Sequence, residues 1–433
     1  MDLAVVLVSE RRNWNSLQAL TGALEVDPRL AALPVSFCRS GNSTVAHVSA
    51  LADRYEQLVV GFSFTSLDTP RIAQEVAELR QALAKDKSAR VTLVAGGPHA
   101  TASWRSTLAM GFDYAVVGEG EAAFPELVWQ LAMRRGSPPA IRGVAYRTTR
   151  GEYVWQGRAR PVSLGLYPPF SVRHRRMGPI EISRGCLHRC RFCATPFLTG
   201  RRLRHRPLAD VLRAVETCLA QGIRQIRFIA SDSLAYGSED GEPRLDLVEK
   251  LLQHTSELAG RENTFLGSFP SEVRPESVSP RAVELIARYC GNDNLVIGAQ
   301  SGSPRLLERM QRGHSVAQVR RAVEIIRQNG LQANVDFIFG LPGEEAEDRL
   351  LTLRLVEDLA SLGARIHSHT FLPLPGSPWA HCPPGTVDEA TARWLGGLAG
   401  RGLEYGSWQK QAEDARRMVE FLAQLQADGH GPR

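Results

Sequence analysis

Arg184-Gly185-Cys186-Leu187-His188-Arg189-Cys190-Arg191-Phe192-Cys193 sets three cysteines at the spacing C-x3-C-x2-C. Three thiolates on one short loop suit a cubane iron–sulfur cluster, with Cys186, Cys190 and Cys193 as metal ligands, and leave one iron without a protein ligand. An iron with an open position binds and activates a small molecule, whereas a four-cysteine site is closed. A structural zinc site uses two C-x2-C pairs or a Cys/His quartet. No matching second pair is present, and His188 is poorly placed inside the loop to serve as a fourth ligand. The chain has seven cysteines and no export signal, which argues against a disulfide framework.

Working outward, a βα series begins near residue 179. Short apolar runs at 180–183, 226–230, 265–268, 295–299, 335–339 and 366–371 read as strands, and 208–220 and 316–328 as helices between them. Six parallel strands with crossover helices predict a partial (βα)6 barrel over residues 179–382, with the cysteine loop following its first strand. A helical extension follows over 383–433, closing on an amphipathic helix at 409–425.

Before the loop, residues 1–136 alternate strand signals at 3–8, 58–64, 91–95 and 114–117 with a helix at 69–84. This pattern predicts an α/β domain with a parallel, doubly wound sheet, flavodoxin- or Rossmann-like. Glycines follow the later strands in Gly96-Gly97-Pro98-His99 and Gly118-Glu119-Gly120-Glu121, where ligands bind such sheets. Residues 137–178 are rich in Gly, Pro and Arg and read as a connector with a hairpin around Gly143–Trp155.

Composition narrows the function classes. No apolar run reaches the roughly 20 residues that cross a bilayer. The start, MDLAVVLVSERR, lacks a basic segment before its apolar run and reads as a first strand, so a cytoplasmic location is expected. The net charge is +6, yet only four basic residues are lysine, a skew unlike a surface selected for phosphate contact. Nucleic acid is therefore not the expected partner. Ten arginines fall between Arg173 and Arg206 against the single acid Glu181. Arg201, Arg202, Arg204 and Arg206 either meet a phosphorylated or carboxylated substrate or form a solvated strip.

The cysteine motif resembles that of the radical S-adenosylmethionine (SAM) superfamily. The resemblance continues through Gln300-Ser301-Gly302-Ser303, Arg309-Met310-Gln311-Arg312-Gly313-His314, Asp336 to Glu344 and Phe371 to Pro378. It implies a [4Fe–4S] cluster that binds SAM at its open iron, a 5′-deoxyadenosyl radical, and a reductant such as flavodoxin or ferredoxin. Phe192 fits the family's aromatic before the last cysteine. By the same likeness Gln300 and Ser301 lie near the SAM ribose and methionine, and Ile338 near the adenine, where it also reads as barrel core. Ser231-Asp232-Ser233 replaces the family's glycine-rich motif, with Asp232 as acceptor for the SAM amino group. Glu272 and Arg274 read as substrate or SAM contacts, or equally as a surface salt bridge.

The N-terminal half resembles the cobalamin-binding domain of class B-like radical SAM enzymes. On that likeness Ser63, Gly96, Gly97, Pro98, His99, Gly118, Glu119 and Gly120 line the cobalamin. His99 also reads as a turn histidine bonded to backbone. Corrinoid carriers place Asp-x-His-x-x-Gly after the first strand, whereas Ser9-Glu10-Arg11-Arg12-Asn13-Trp14-Asn15 holds no histidine. The implied activity is a methyltransferase, cobalamin-dependent and acting on an unactivated carbon of a small-molecule or peptide substrate. The alternatives are a radical rearrangement or oxidative cyclisation without methyl transfer, and a radical SAM enzyme whose corrinoid domain is degenerate. A methylthiotransferase carries a second cluster on three N-terminal cysteines, and only Cys38 precedes the triplet here.

Overall fold

The computed structural model describes residues 2–83, 87, 89–133 and 140–427. The chain divides into two compact units, residues 179–416 and the remainder, which joins 1–178 to the last residues from 417. None of its described helices is long and apolar enough to cross a membrane.

The first unit is built on strands β1 (Leu3–Ser9), β2 (Val35–Arg39), β3 (Gln57–Ser63), β4 (Val91–Gly96), β5 (Tyr114–Val116), β6 (Val144–Arg147) and β7 (Tyr153–Trp155). They form one sheet in the order β2-β1-β3-β4-β5-β6-β7. The period-2 alternation of β1 shows why it is doubly wound. Leu3, Val5 and Leu7 enter the core on one face, and Ala4, Val6 and Val8 enter the core on the other. Strands β1 to β5 are parallel, and the order reverses between β1 and β3, which opens a crevice at their carboxyl ends. The C-terminal residues Phe421 and Leu425 pack on this unit's core.

The segment 137–178 does more than connect: its hairpin β6–β7 pairs antiparallel onto β5 and widens the sheet. Tyr146 packs on Tyr114 across the β5–β6 ladder, and Val144 and Ala145 are buried, which is what holds the hairpin to the edge. Strand β2 carries a weak local signal, because Ser36 and Arg39 interrupt its short apolar run.

The second unit contains β8 (Ile180–Glu181), β9 (Ser183–Arg184), β10 (Arg204–His205), β11 (Ile226–Ile229), β12 (Thr264–Phe265), β13 (Asn294–Gln300), β14 (Gln332–Phe339), β15 (Arg365–Thr370) and β16 (Glu404–Tyr405). Parallel ladders run β8-β11-β12 and β13-β14-β15-β16. The backbone bonds Val296 N–H to Gly267 O (3.0 Å) and Val273 N–H to Val296 O (2.9 Å) join them into one curved wall. The six expected strands are all present. Strand β16 is a seventh, so part of the supposed helical extension belongs to this sheet.

Along β14 the side chains sort by face. Ala333, Val335, Phe337 and Phe339 are almost fully buried, while Gln332, Asn334 and Asp336 are only partly so. On β15 Ile366, Ser368 and Thr370 repeat the buried set, and His367 and His369 share a face with Asp336.

Candidate active site

The cysteine loop leaves the wall at β9 and returns at β10, which pairs antiparallel with it through Arg184 and Arg204. At the loop's entrance Gly185 has φ +104°, and a Cβ there would overlap the Arg202 carbonyl. Only glycine turns the chain this way without strain. Cys186 N–H then donates to Gly200 O (3.1 Å), and Arg191 N–H to Met310 O (2.9 Å), which tie the loop down at both ends.

Cys186, Cys190 and Cys193 line a single cavity, together with His188, Phe192, Asp232, Glu272, Arg274, Gln300 and Arg312. Burial pushes the thiols of Cys186 and Cys193 above their ordinary range. Burial likewise pushes His188 down to about 4, with the Arg274 cation adding to the effect, so it is neutral.

Asp232 is buried at the cavity wall. Its carboxylate accepts from Leu234 N–H (3.2 Å) and Ser277 Oγ–H (2.9 Å), but burial outweighs both and raises it to about 6. Glu272 is raised by burial as well. Gln300 has φ +70°, a left-handed conformation that costs a non-glycine residue energy. Arg274 donates to Glu276 and to the Arg312 carbonyl, so both Glu272 and Arg274 belong to the cavity rather than to an exposed ion pair.

Arg312 lies in the Arg309-to-His314 motif and has no role legible from sequence alone. It is 6% exposed; Nη2 donates to Gly298 O (3.0 Å), Nη1 lies 3.7 Å from Cys190 Sγ, and Nε is buried with no partner. A buried guanidinium with an unused donor beside a thiol is matched by a negatively charged group in the cavity. Three thiolates around an iron–sulfur cluster meet that requirement.

Some expected residues lie elsewhere. Ser301 does not line the cavity: its hydroxyl is 3.1 Å from Thr352 Oγ1 and accepts from Ser303 N–H (3.1 Å). Ile338 packs in an apolar cluster with Leu306, Met310, Phe371 and Trp379, against which Phe192 rests. The arginine strip divides, since Arg201 and Arg202 are exposed whereas Arg206 is buried and donates to Glu181 O (3.0 Å).

In the first unit the strand ends carry the expected glycines. Gly97 has φ +85°, and a Cβ on it would sit 2.7 Å from Ser63 Oγ; Gly118 has φ +103°. Such bare backbone at the ends of β3, β4 and β5 fits a large ligand lying along the sheet edge. Pro98 is exposed there and Gly120 opens the helix Gly120–Met133. Glu119 is committed to the chain, accepting from Val162 N–H (2.8 Å).

The His99 side chain is turned into the core. It is 0% exposed, Nδ1 and Nε2 each lie 3.0 Å from a serine oxygen (Ser66 and Ser106), and its ring stacks on Phe64. The loop after β1 is closed by Asn13, whose Nδ2 donates to Val8 O (2.9 Å) and Ser63 O (3.0 Å), stapling β1 to β3.

A profile of the Radical SAM superfamily matches residues 180–356, and one of the B12 binding domain matches residues 35–128. The chain carries a radical SAM domain and a B12-binding domain. An uncharacterised protein of Methanopyrus kandleri is 29% identical over 342 residues, 67% of this chain and 62% of that one. A tRNA-2-methylthio-N(6)-dimethylallyladenosine synthase of Shewanella denitrificans is 30% identical over 257 residues, 58% of this chain and 51% of the relative. The radical SAM protein thus spans about half to three fifths of the length of these curated relatives.

Among solved structures, the radical SAM methyltransferase TsrM from Kitasatospora setae superposes with TM-score 0.68 at 19% identity, covering 87% of this chain and 75% of TsrM. The cobalamin-dependent SAM radical enzyme OxsB superposes with TM-score 0.62 at 16% identity, covering 82% and 52%. These likenesses establish the shared fold. The cofactors of this radical SAM protein are a [4Fe–4S] cluster, SAM and cobalamin, and the cysteine cavity and the glycine turns fit them.

Proposed function

We propose that this radical SAM protein is a cobalamin-dependent methyltransferase acting on an unactivated carbon of a small-molecule or peptide substrate. One observation carries the reading: a three-cysteine cavity in a partial barrel, in a chain that also holds a B12-binding domain. When bound, the cluster with SAM supplies a 5′-deoxyadenosyl radical, and cobalamin relays a methyl group.

The chain's own residues bind, orient and exclude water. Cys186, Cys190 and Cys193 hold the iron, and Arg312 offsets the negative charge gathered there. Asp232, short of donors in its enclosed position, accepts a hydrogen bond from the SAM ammonium, and Gln300 reaches the same cavity. Phe192, with Met310, Phe371 and Trp379 behind it, closes one wall with apolar surface. A small reductant such as flavodoxin or ferredoxin delivers the electron.

TsrM, described as a methyltransferase with cobalamin and a [4Fe–4S] cluster bound, supports this reading over a cyclisation. The tRNA methylthiolation of the Shewanella relative is less favoured, because only Cys38 precedes the triplet where that class carries a second cluster. The test is anaerobic reconstitution with iron, sulfide and cobalamin, reduction with titanium citrate, and addition of SAM. S-adenosylhomocysteine formed together with 5′-deoxyadenosine is expected. 5′-Deoxyadenosine alone, with corrinoid bound, would overturn the methyl-transfer reading.

A further inference from the structure

On the inner face of the second unit's sheet, paired residues of successive strands form a row. Gly298 of β13 pairs with Asp336 of β14, Asp336 with His367 of β15, and His367 with Tyr405 of β16. At one end of the row Arg312 bonds Gly298 O and approaches Cys190. At the other, His367 stacks flat on Tyr405 at 4.6 Å. The row therefore runs from beside the cysteine cavity to β16, the last strand of that sheet.

Its hydrogen bonds determine both histidine tautomers. Gln411 Oε1 accepts from Thr370 N–H (3.1 Å), which orients the amide. Gln411 Nε2 then donates to His369 Nδ1 (3.1 Å), so the hydrogen of His369 is on Nε2, which faces Asp336 Oδ1 at 3.9 Å. His367 Nδ1–H donates to Asp336 Oδ1 at 3.0 Å. His367 Nε2 is left as an unprotonated acceptor with no hydrogen bond among the described residues, and the side chain is 30% exposed. Asp336 remains ionised: burial opposes this, but the bond from His367 and the nearby His369 ring hold its carboxyl below the usual range.

A carboxylate that fixes a histidine tautomer and supports the cation formed on its far nitrogen is the arrangement of a general base. Asn334 Oδ1, one pair further along the same face of β14, is buried and unpartnered, and Glu272 lies close enough for its charge to act on Asp336. The other charged and titratable groups near His367 are Tyr405 of β16 and Arg365 of its own strand on the same face, with Arg365 stacked over Tyr405, and Glu404 on the opposite face of β16, close enough for its charge to act.

We propose that Asp336, His367 and His369 form a substrate site for a small molecule that bears a hydroxyl or amine group, with His367 Nε2 accepting its polar hydrogen. The proton passes from the substrate O–H or N–H to Nε2, its bonding pair stays on the substrate heteroatom, and the imidazolium is held by Asp336. The inference deepens the proposed function by naming a substrate class for the same barrel, and it rests on that reading for the reaction served.

The same three side chains also have the composition of a divalent-metal site, but the bond from Gln411 turns the lone pair of His369 away from Asp336. Diethylpyrocarbonate, which acylates accessible unprotonated imidazole nitrogens, distinguishes the two. In the cluster-loaded protein at pH 7.5, His367 is expected to be modified at least tenfold faster than His369, read by peptide mass spectrometry. Gln411→Leu is expected to raise the His369 rate severalfold while cluster absorbance is retained, which a purely structural histidine pair would not show. Equal rates for both histidines, or protection of both by one equivalent of zinc ion that dialysis does not remove, would overturn the proposal. The readout involves no turnover, so failure to form S-adenosylhomocysteine leaves it intact, and the converse holds.

Discussion

Replacing Asp232 by asparagine is expected to stabilise the second unit while weakening SAM binding. Burial raises the carboxyl from 3.8 to about 6, a displacement of about two units, worth about 3 kcal/mol at 1.36 kcal/mol per unit. The group is an acid whose folded value lies above its unfolded one. The folded state is therefore penalised in full above pH 6, and the penalty fades as pH falls through 6 toward 4. Asparagine keeps the shape, its Oδ1 can accept from Leu234 N–H, and the Ser277 hydroxyl can turn to accept from Nδ2. SAM-free Asp232→Asn protein should accordingly gain up to about 3 kcal/mol at pH 8 and about half of that at pH 5. Hydrogen exchange of the peptide carrying β11, corrected for intrinsic rate, reads that free energy directly. SAM affinity should fall by roughly 10- to 100-fold, the worth of a hydrogen bond to a charged group. A loss of protection at pH 8, or an equal gain at both pH values, would refute the assignment of desolvation as the dominant cause.

Cys190→Ala should reduce iron and sulfide after reconstitution to background while circular dichroism is retained, because the thiolate rather than the fold is lost. Gly97→Ala, forced to φ +85° with its Cβ against Ser63 Oγ, should cost about 1–2 kcal/mol and lower the cobalamin retained on gel filtration. His99→Ala should destabilise the first unit by about 2–4 kcal/mol, since it empties a packed site and leaves Ser66 and Ser106 short of a partner. Burial lowers His99 to about 4, and a base with a lowered folded value destabilises the fold as pH drops below its unfolded value of about 6.5. The wild-type first unit should thus lose about 2 kcal/mol between pH 7 and pH 5, a loss absent from His99→Gln; equal pH slopes in urea titrations would refute this.

The cysteine loop and the strands around it were legible because their signals are local. Three thiols within eight residues need no tertiary information, and short apolar runs separated by amphipathic helices imply a parallel sheet by period alone. The Gly97 and Gly118 turns follow from the same logic, since their positive φ values are backbone properties that glycine announces. What failed locally was diluted signal. Strand β2 is broken by Ser36 and Arg39, β16 is two residues long, and the β6–β7 hairpin is flanked by Gly, Pro and Arg that read as linker.

The chain alone therefore determined the fold class and the cofactor class, and placed the three cysteines on one short loop. Tertiary structure decided which polar side chains are spent and which are free. Ser301 and His99 sit in legible motifs, yet Thr352 and the serines Ser66 and Ser106 consume them, and those partners are 51, 33 and 7 residues away. Arg312, Asp336 and His367 gained their roles from strand register, which sets Gly298 beside Asp336 and Asp336 beside His367 across gaps that no sequence window spans. The alternation His367-Ser368-His369 does place two imidazoles on one face of a strand. That the face looks inward, toward a carboxylate and the cysteine cavity, depends on how the sheet curls.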